Sequence, residues 1–340
     1  MHVSKNFRAI SCVLVSTILV LGCAEDATRK VVVYTAHDEI YSRPILDQFE
    51  QASGIKVLAV YDTEASKTTG LVNRLLAEKQ RPRADVFWNN EVAQTIRLQQ
   101  EGVLQPHDSA RRAAVPNAFK DPDGYWTGFG ARARVIIYNT NLVSKPPTSI
   151  QDLLDPEWKG RICIARPLFG TTATHGAALF ALWGSGDAKA FFGALLDNDV
   201  AILPGNSTVR DLVARGEYAF GLTDTDDANG AILDGFPVQW VFPDQDDNEI
   251  GTLLIPNTVA LIAGAARPDE ARILIDFLLS PAVEQRLAES RALQIPLGGD
   301  VETPESVPDI QRIRTMDVDF TDIANAMSES TAFFEESFIQ

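Results

Sequence analysis

Three cysteines in 340 residues leave little material for a disulfide framework. Cys12 and Cys23 lie near the N-terminus, and Cys163 stands alone in Arg161-Ile162-Cys163-Ile164, a run that predicts a buried strand. One thiol builds no thiolate metal site, and apolar neighbours raise a thiol pKa instead of activating it. Histidine is scarce too, with four in the chain, and neither a His-Glu-x-x-His zinc motif nor a Gly-x-Ser-x-Gly nucleophile elbow occurs. An enzyme is therefore not expected: His175 reads as a helix-lining residue and His107, beside Pro106, as a solvated loop residue. No stripe of lysine and arginine is present, and a formal net charge of −16 opposes binding to nucleic-acid phosphates.

What is present begins with a targeting pattern. Lys5 and Arg8 precede an apolar run from Ile10 to Leu21 that ends at Gly22-Cys23. The run is too short for a comfortable permanent span and reads as a secretory signal. Val20-Leu21-Gly22-Cys23 resembles a bacterial lipobox, in which Cys23 is lipidated and becomes the first mature residue. Residues 1–23 are then signal and 24–30 a polar tether, which predicts an extracytoplasmic, membrane-anchored lipoprotein acting as a monomer.

The rest is long enough for about two domains. Val31-Val32-Val33-Tyr34 is a continuous apolar run of the kind found in doubly buried strands. A helix over 41–52, a strand over 55–60, a helix over 66–78 and a strand over 85–88 follow, and this βαβαβ order predicts a parallel sheet. Ligands of such sheets sit off the carboxyl ends of the strands. Those ends carry His37, Asp38 and Glu39, then residues 62–67, then Asn89, Asn90 and Glu91. A second unit starts after Asp121-Pro122-Asp123-Gly124, with strands at 135–138, 162–164, 201–203 and 218–220 and helices between them. Residues 251–261 return as an extended stretch, helices follow over 269–279 and 282–290, and an acidic, partly helical tail closes the chain. The expected fold class is α/β: two lobes, each a mostly parallel sheet flanked by helices, with a ligand cleft between them. Trp88, Trp126 and Trp183 are read as core.

The most distinctive stretch is Gly221-Leu222-Thr223-Asp224-Thr225-Asp226-Asp227-Ala228-Asn229-Gly230, with three aspartates and no base. A carboxylate-rich loop at the end of a strand, ahead of a helix near Gly230, suits a cation or ammonium group, or else simple capping. Three hydroxyl-rich helix starts are expected on the same rim: Ser66-Lys67-Thr68-Thr69, Thr171-Thr172-Ala173-Thr174 and Asn206-Ser207-Thr208. Free N–H groups and hydroxyls there favour an oxyanion, though each alone is also ordinary capping. The candidate ligand-binding residues are Lys67, Thr68, Thr69, Arg132, Thr171, Thr172, Asn206, Ser207 and Asp224.

Several segments carry a family likeness: Val33-Tyr34-Thr35-Ala36-His37, Phe49 to Val57, Ala84-Asp85-Val86-Phe87, Arg132 to Asn139 and Pro156-Glu157-Trp158-Lys159-Gly160. Their order resembles the periplasmic solute-binding proteins that feed bacterial ABC importers, in particular the ferric-iron-binding branch. The resemblance implies a periplasmic-binding-protein fold that closes by a hinge and does no chemistry. It places lobe 1 at 31–127 plus 252–290 and lobe 2 at 128–251 plus 291–340. It also implies a permease partner, no resident cofactor, and ferric iron or another hard cation with a synergistic anion as cargo. In the iron-binding relatives a histidine follows the first strand, a glutamate the third, and two adjacent tyrosines the strand ending here near Thr223. His37 sits at the histidine position, Asn90 at the glutamate position with Glu91 next to it, and Asp226 and Asp227 replace the tyrosines. The implied metal set is His37, Glu91, Asp226 and Asp227. Aspartates are hard oxygen donors that discriminate ferric iron less sharply than phenolates. The alternative is thus a phosphate, phosphonate or aminoalkylphosphonate solute whose amine meets Asp226 and Asp227.

Overall fold

The computed structural model of the chain describes residue 1, residues 29–62 and residues 69–338. Cys12, Cys23, Lys67 and Thr68 lie outside the described residues, and with them the signal and lipobox. No helix among the described residues is long and apolar enough to cross a membrane.

The expected alternation appears as β1 (Lys30–Thr35), α1 (Glu39–Ser53), β2 (Lys56–Tyr61), α2 (Thr69–Ala77) and β3 (Val86–Asn89), and β1 pairs in parallel with β2 and β3. Helix α1 buries Ile45, Leu46 and Phe49 on one face, and Gly54, at φ 69°, supplies the left-handed residue that ends it. After β3 come α3 (Val92–Gln100), β4 (Leu104–Gln105) and the 13-residue β5 (Thr127–Asn139). The second unit is β6 (Ile162–Ala165), α4 (Gly170–Asp197, broken by a kink at Gly184, φ 79°), β7 (Ala201–Leu203), α5 (Asn206–Ala214), β8 (Phe220–Asp224), α6 (Thr225–Leu233) and β9 (Val238–Val241). The chain then runs through β10 (Leu254–Ile262), α7 (Pro268–Leu278), α8 (Pro281–Glu289) and α9 (Phe320–Phe338).

Among the described residues the strands follow the order β2-β1-β3-β10-β5-β8-β6-β7, with β4 on β10 and β9 on β5. β5 is the member common to both lobes: Thr127 to Ala133 pair antiparallel with β10, and Arg134 to Tyr138 pair antiparallel with β8. The sheet therefore changes hands between Ala133 and Arg134. Side chains alternate along a strand, so Arg132 and Arg134 share one face of β5 and flank this crossover. The parallel pairs expected within each lobe are present, and the two crossing strands are antiparallel.

Two apolar clusters hold the layers. Val31, Val33, Trp88, Phe129, Leu274 and Leu278 join β1, β3, β5 and α7 on one face of the first unit. The larger cluster runs from Phe87 through Ile136 and Phe220 to Phe334 of α9. Phe334 is fully buried, its ring centroid 4.7 Å from that of Phe192. Gly176 in α4 makes room for it, since a Cβ there would meet the Phe334 ring at 2.7 Å.

Two sequence expectations change. Helix α6 starts at Thr225, not near Gly230, so Asp226 and Asp227 sit in its first turn instead of on a loop. That turn is where acidic side chains favour helix, because they face the positive end of the dipole. His107 is not solvated: its Nε2 lies 2.9 Å from Asp276 Oδ1 and its side chain is 13% exposed.

Candidate functional site

A cleft of about 440 Å³ opens where the carboxyl ends of the second-unit strands meet the first unit. From the second unit come the starts of α4 (Gly170, Thr171, Thr172), α5 (Asn206, Ser207, Thr208) and α6 (Asp226, Asp227), with Asp224 at the end of β8. From the first unit come Asp38, Tyr41 and Asn90. Three helix N-termini thus point their unsatisfied N–H groups toward one space.

The acidic residues occupy distinct electrostatic positions. Asp224, 1% exposed, accepts hydrogen bonds from Arg134 Nη1 (2.6 Å), Thr171 Oγ1 (2.6 Å) and Asn206 Nδ2 (3.0 Å). Burial pushes its pKa up, but Arg134 and Arg132 more than offset this and hold the carboxyl below its ordinary value. Asp226 pairs with Arg132 at 3.3 Å. Asp227 receives a bond from Thr223 Oγ1 at 3.3 Å and lies 3.9 Å from Arg210. Burial, then the charges of Asp226 and Asp224, push its pKa well above the usual carboxylate range. One carboxylate oxygen of each of Asp224, Asp226 and Asp227 lies within 4.8 Å of the others, a spacing that a single cation can bridge.

Arg132 ties the halves together. It is 7% exposed, its Nη2 donates to the Asn90 carbonyl at 2.6 Å, and its Nη1 faces Asp226. Arg134 is fully buried; besides Asp224 it donates to Thr171, Asn206 and Thr172. It anchors the cleft floor without lining the cleft itself.

Of the expected site residues, the structure gathers Arg132, Thr171, Thr172, Asn206, Ser207, Asp224, Asp226 and Asp227 around this cleft. Thr69 opens α2 and is not part of the lining. Glu91 is engaged as the N-cap of α3: its carboxylate accepts from the backbone N–H groups of Ala93 at 2.6 Å and Gln94 at 2.9 Å. Burial raises its pKa despite those bonds. His37 is 4% exposed and stacked on Trp88 at 5.2 Å between ring centroids. Neither stands in the aspartate trio: the Glu91 carboxylate caps α3, and the His37 ring stacks on Trp88.

Residues absent from the sequence-based set also line the cleft: Arg166, Phe169, Arg210 and Arg291. Arg166 directly follows β6, so the rule that ligands meet strand carboxyl ends was a usable signal. Nothing local marks Arg210 or Arg291, which reach the cleft from within and beyond helices.

His175 lies in α4 beneath the cleft. Burial and then the nearby Arg134 push its pKa down to about 3, so it is neutral. Neither ring nitrogen has a hydrogen-bond partner, and a small cavity walled by Leu179, Phe192 and Leu222 adjoins it. It therefore activates no nucleophile among the described residues. Cys163 is likewise fully buried, with its thiol pKa raised by desolvation.

A two-lobed α/β fold with two antiparallel crossing strands, and a polar cleft at converging helix starts, defines a binding protein. The chain belongs to the bacterial extracellular solute-binding protein family, whose model matches residues 83–323. It is 27% identical over 317 residues to iron uptake protein A1 of Synechocystis, covering 89% of this chain and 84% of that one. It is 29% identical over 248 residues to a putative 2-aminoethylphosphonate-binding periplasmic protein of Salmonella typhi, covering 72% and 70%. Among solved structures, the ferric binding protein from Campylobacter jejuni superposes with a TM-score of 0.80 at 25% identity, covering 90% of this chain and 98% of that one.

Proposed function

We propose that this chain is the solute-capturing component of a bacterial ABC importer, which takes a hard metal cation, ferric iron foremost, and delivers it with a companion oxyanion to a permease. The lobes in this reading are residues 31–127 with 252–290 and 128–251 with 291–340, and lipid on Cys23 tethers a monomer outside the cytoplasm. The observation that carries the reading is the trio of Asp224, Asp226 and Asp227, whose oxygens lie within 4.8 Å of one another. Arg132 and Arg134 pair with Asp226 and Asp224, Arg210 reaches Asp227 only at 3.9 Å, and burial together with the charges of Asp226 and Asp224 raises the pKa of Asp227. A cation between these oxygens relieves that repulsion. The starts of α4 and α5, with Thr171, Thr172, Asn206 and Ser207, hold the anion. Relatives named for iron uptake and ferric binding support the same choice.

A second reading has its own support. The cleft volume of about 440 Å³, with Phe169 and Tyr41 in its wall, suits an organic solute bearing a phosphate or phosphonate and an amine, and a relative is named for 2-aminoethylphosphonate. Dialysis of chelator-stripped protein against ferric citrate with phosphate, and separately against manganese and zinc, tests the metal reading. Wild type is expected to retain about one equivalent of metal, and Asp226→Asn and Asp227→Asn to retain it at least about tenfold more weakly. Retention of no metal, combined with thermal stabilisation by saturating 2-aminoethylphosphonate, gives the site to the second reading.

A further inference from the structure

Four arginines line the cleft, and three of them have a carboxylate partner. Arg132 lies 3.3 Å from Asp226, Arg210 lies 2.7 Å from Asp211, and Arg291 lies 2.7 Å from Asp234. Arg166 has none among the described residues, and its Nε is buried without a hydrogen-bond partner. Its guanidinium brings a positive charge and a planar fork of N–H donors to the cleft.

Its place is fixed by the backbone. Arg166 follows β6 immediately, and its N–H donates to the Leu203 carbonyl at 2.8 Å, at the end of β7. The starts of α4 and α5, which follow β6 and β7 in turn, line the same cleft. Each start carries about half a positive charge. With the guanidinium, this part of the cleft holds about two positive charges; the carboxylate at the helix starts, Asp224, is paired with Arg134, and no carboxylate among the described residues pairs with Arg166.

We infer that Arg166 is a specificity-determining residue of the cleft and that it selects a dianionic tetrahedral oxyanion, a phosphate or phosphonate group, over a monoanionic carboxylate. The guanidinium fork gives two parallel N–H···O bonds to such a group. Two charges meet two charges in a partly buried place where salt screens weakly. This inference rests on the cleft being the ligand site but not on the metal.

The test is calorimetric titration of the metal-free full chain with inorganic phosphate, 2-aminoethylphosphonate and acetate, for wild type, Arg166→Gln and Arg166→Lys. Wild type is expected to bind at least one of the two phosphorus anions about 100-fold tighter than acetate, which corresponds to the second charge and the second hydrogen bond. Arg166→Gln is expected to lose that preference and Arg166→Lys to keep part of it, about tenfold weaker than wild type, because an ammonium keeps the charge without the fork. Tighter binding of inorganic phosphate identifies a free companion ion, and tighter binding of 2-aminoethylphosphonate identifies the end of an organic solute; both support the assignment. Phosphorus-anion binding in Arg166→Gln within about threefold of wild type, or a wild type that binds acetate as tightly, overturns it. So does a wild type that binds neither phosphorus anion. If Arg166→Gln does not fold, the wild-type ratio and Arg166→Lys decide. Because no metal is present in these titrations, failure of the metal reading leaves their outcome unaffected.

Discussion

Asp224 and Asp227 are three residues apart and meet opposite fates. Asp224 lies between Arg134 and Arg132, which hold its carboxyl below its ordinary pKa, whereas Asp227 is pushed up by burial and then by two neighbouring carboxylates. The sign for stability follows from linkage. With its folded pKa above its unfolded one, Asp227 binds a proton in the folded chain that the unfolded chain has released, so stability falls as pH rises from about 4 through the raised folded value. Asp227→Asn removes that loss. Urea unfolding in cation-free buffer should therefore find Asp227→Asn more stable than wild type at pH 7, with the gap closing toward about pH 4. A variant no more stable than wild type at pH 7 contradicts the electrostatic account. The acidic trio was legible as residues, because three aspartates in ten positions after an apolar strand stand out. The roles of Arg134 and Arg166 were not, since which arginine is paired depends on contacts distant in sequence, 90 positions between Arg134 and Asp224. The engagement of Glu91 has a local cause: both of its oxygens accept from backbone N–H groups at the start of α3.

At the scale of elements, β5 is the strand that pairs with both β10 and β8, and its middle is held by side chains in place of a regular ladder. The register shifts between Pro256 and Asn257, opposite Gly130, which has φ +53°. Gly130 donates to Glu284 Oε1 at 2.7 Å, and its carbonyl accepts from Asn257 Nδ2 at 2.8 Å. Glu284, 2% exposed, also accepts from Leu297 N at 2.8 Å and Gly298 N at 2.9 Å, so it clamps the segment after α8 against the crossing strand. Glu284→Ala would leave three backbone donors without their acceptor. At roughly 1–3 kcal/mol for each buried donor, partly relieved by water, the expected loss is about 3 kcal/mol of unfolding free energy. Denaturant titration that finds less than about 1 kcal/mol would show the clamp to be incidental. Strands and helices were legible from apolar runs and caps. The register shift was not, because it is fixed by Glu284 and Asn257, which lie 154 and 127 positions from Gly130. The start of α6 was placed five residues late, at Gly230, because three aspartates were read as loop instead of as a helix's first turn.

For the whole molecule, the order of motifs and the βα alternation carried the two-lobed fold, and the antiparallel crossing by β5 and β10 completes it. The lobes present an acidic trio and a basic, helix-start wall in one cleft, so the ligand is expected to carry charge of both signs, as a cation with its anion or as a zwitterion. Sequence could place the two groups of residues at strand ends but not say that Glu91 caps α3 or that His37 stacks on Trp88. The most direct measurement is native mass spectrometry of the protein isolated from its own host without chelators. The account predicts a mass excess of one metal ion together with one small phosphate-like oxyanion, lost together on acidification as the aspartates protonate. A bare chain that also fails to take up metal on reconstitution, or an adduct with the mass of an organic solute and no metal, would contradict it.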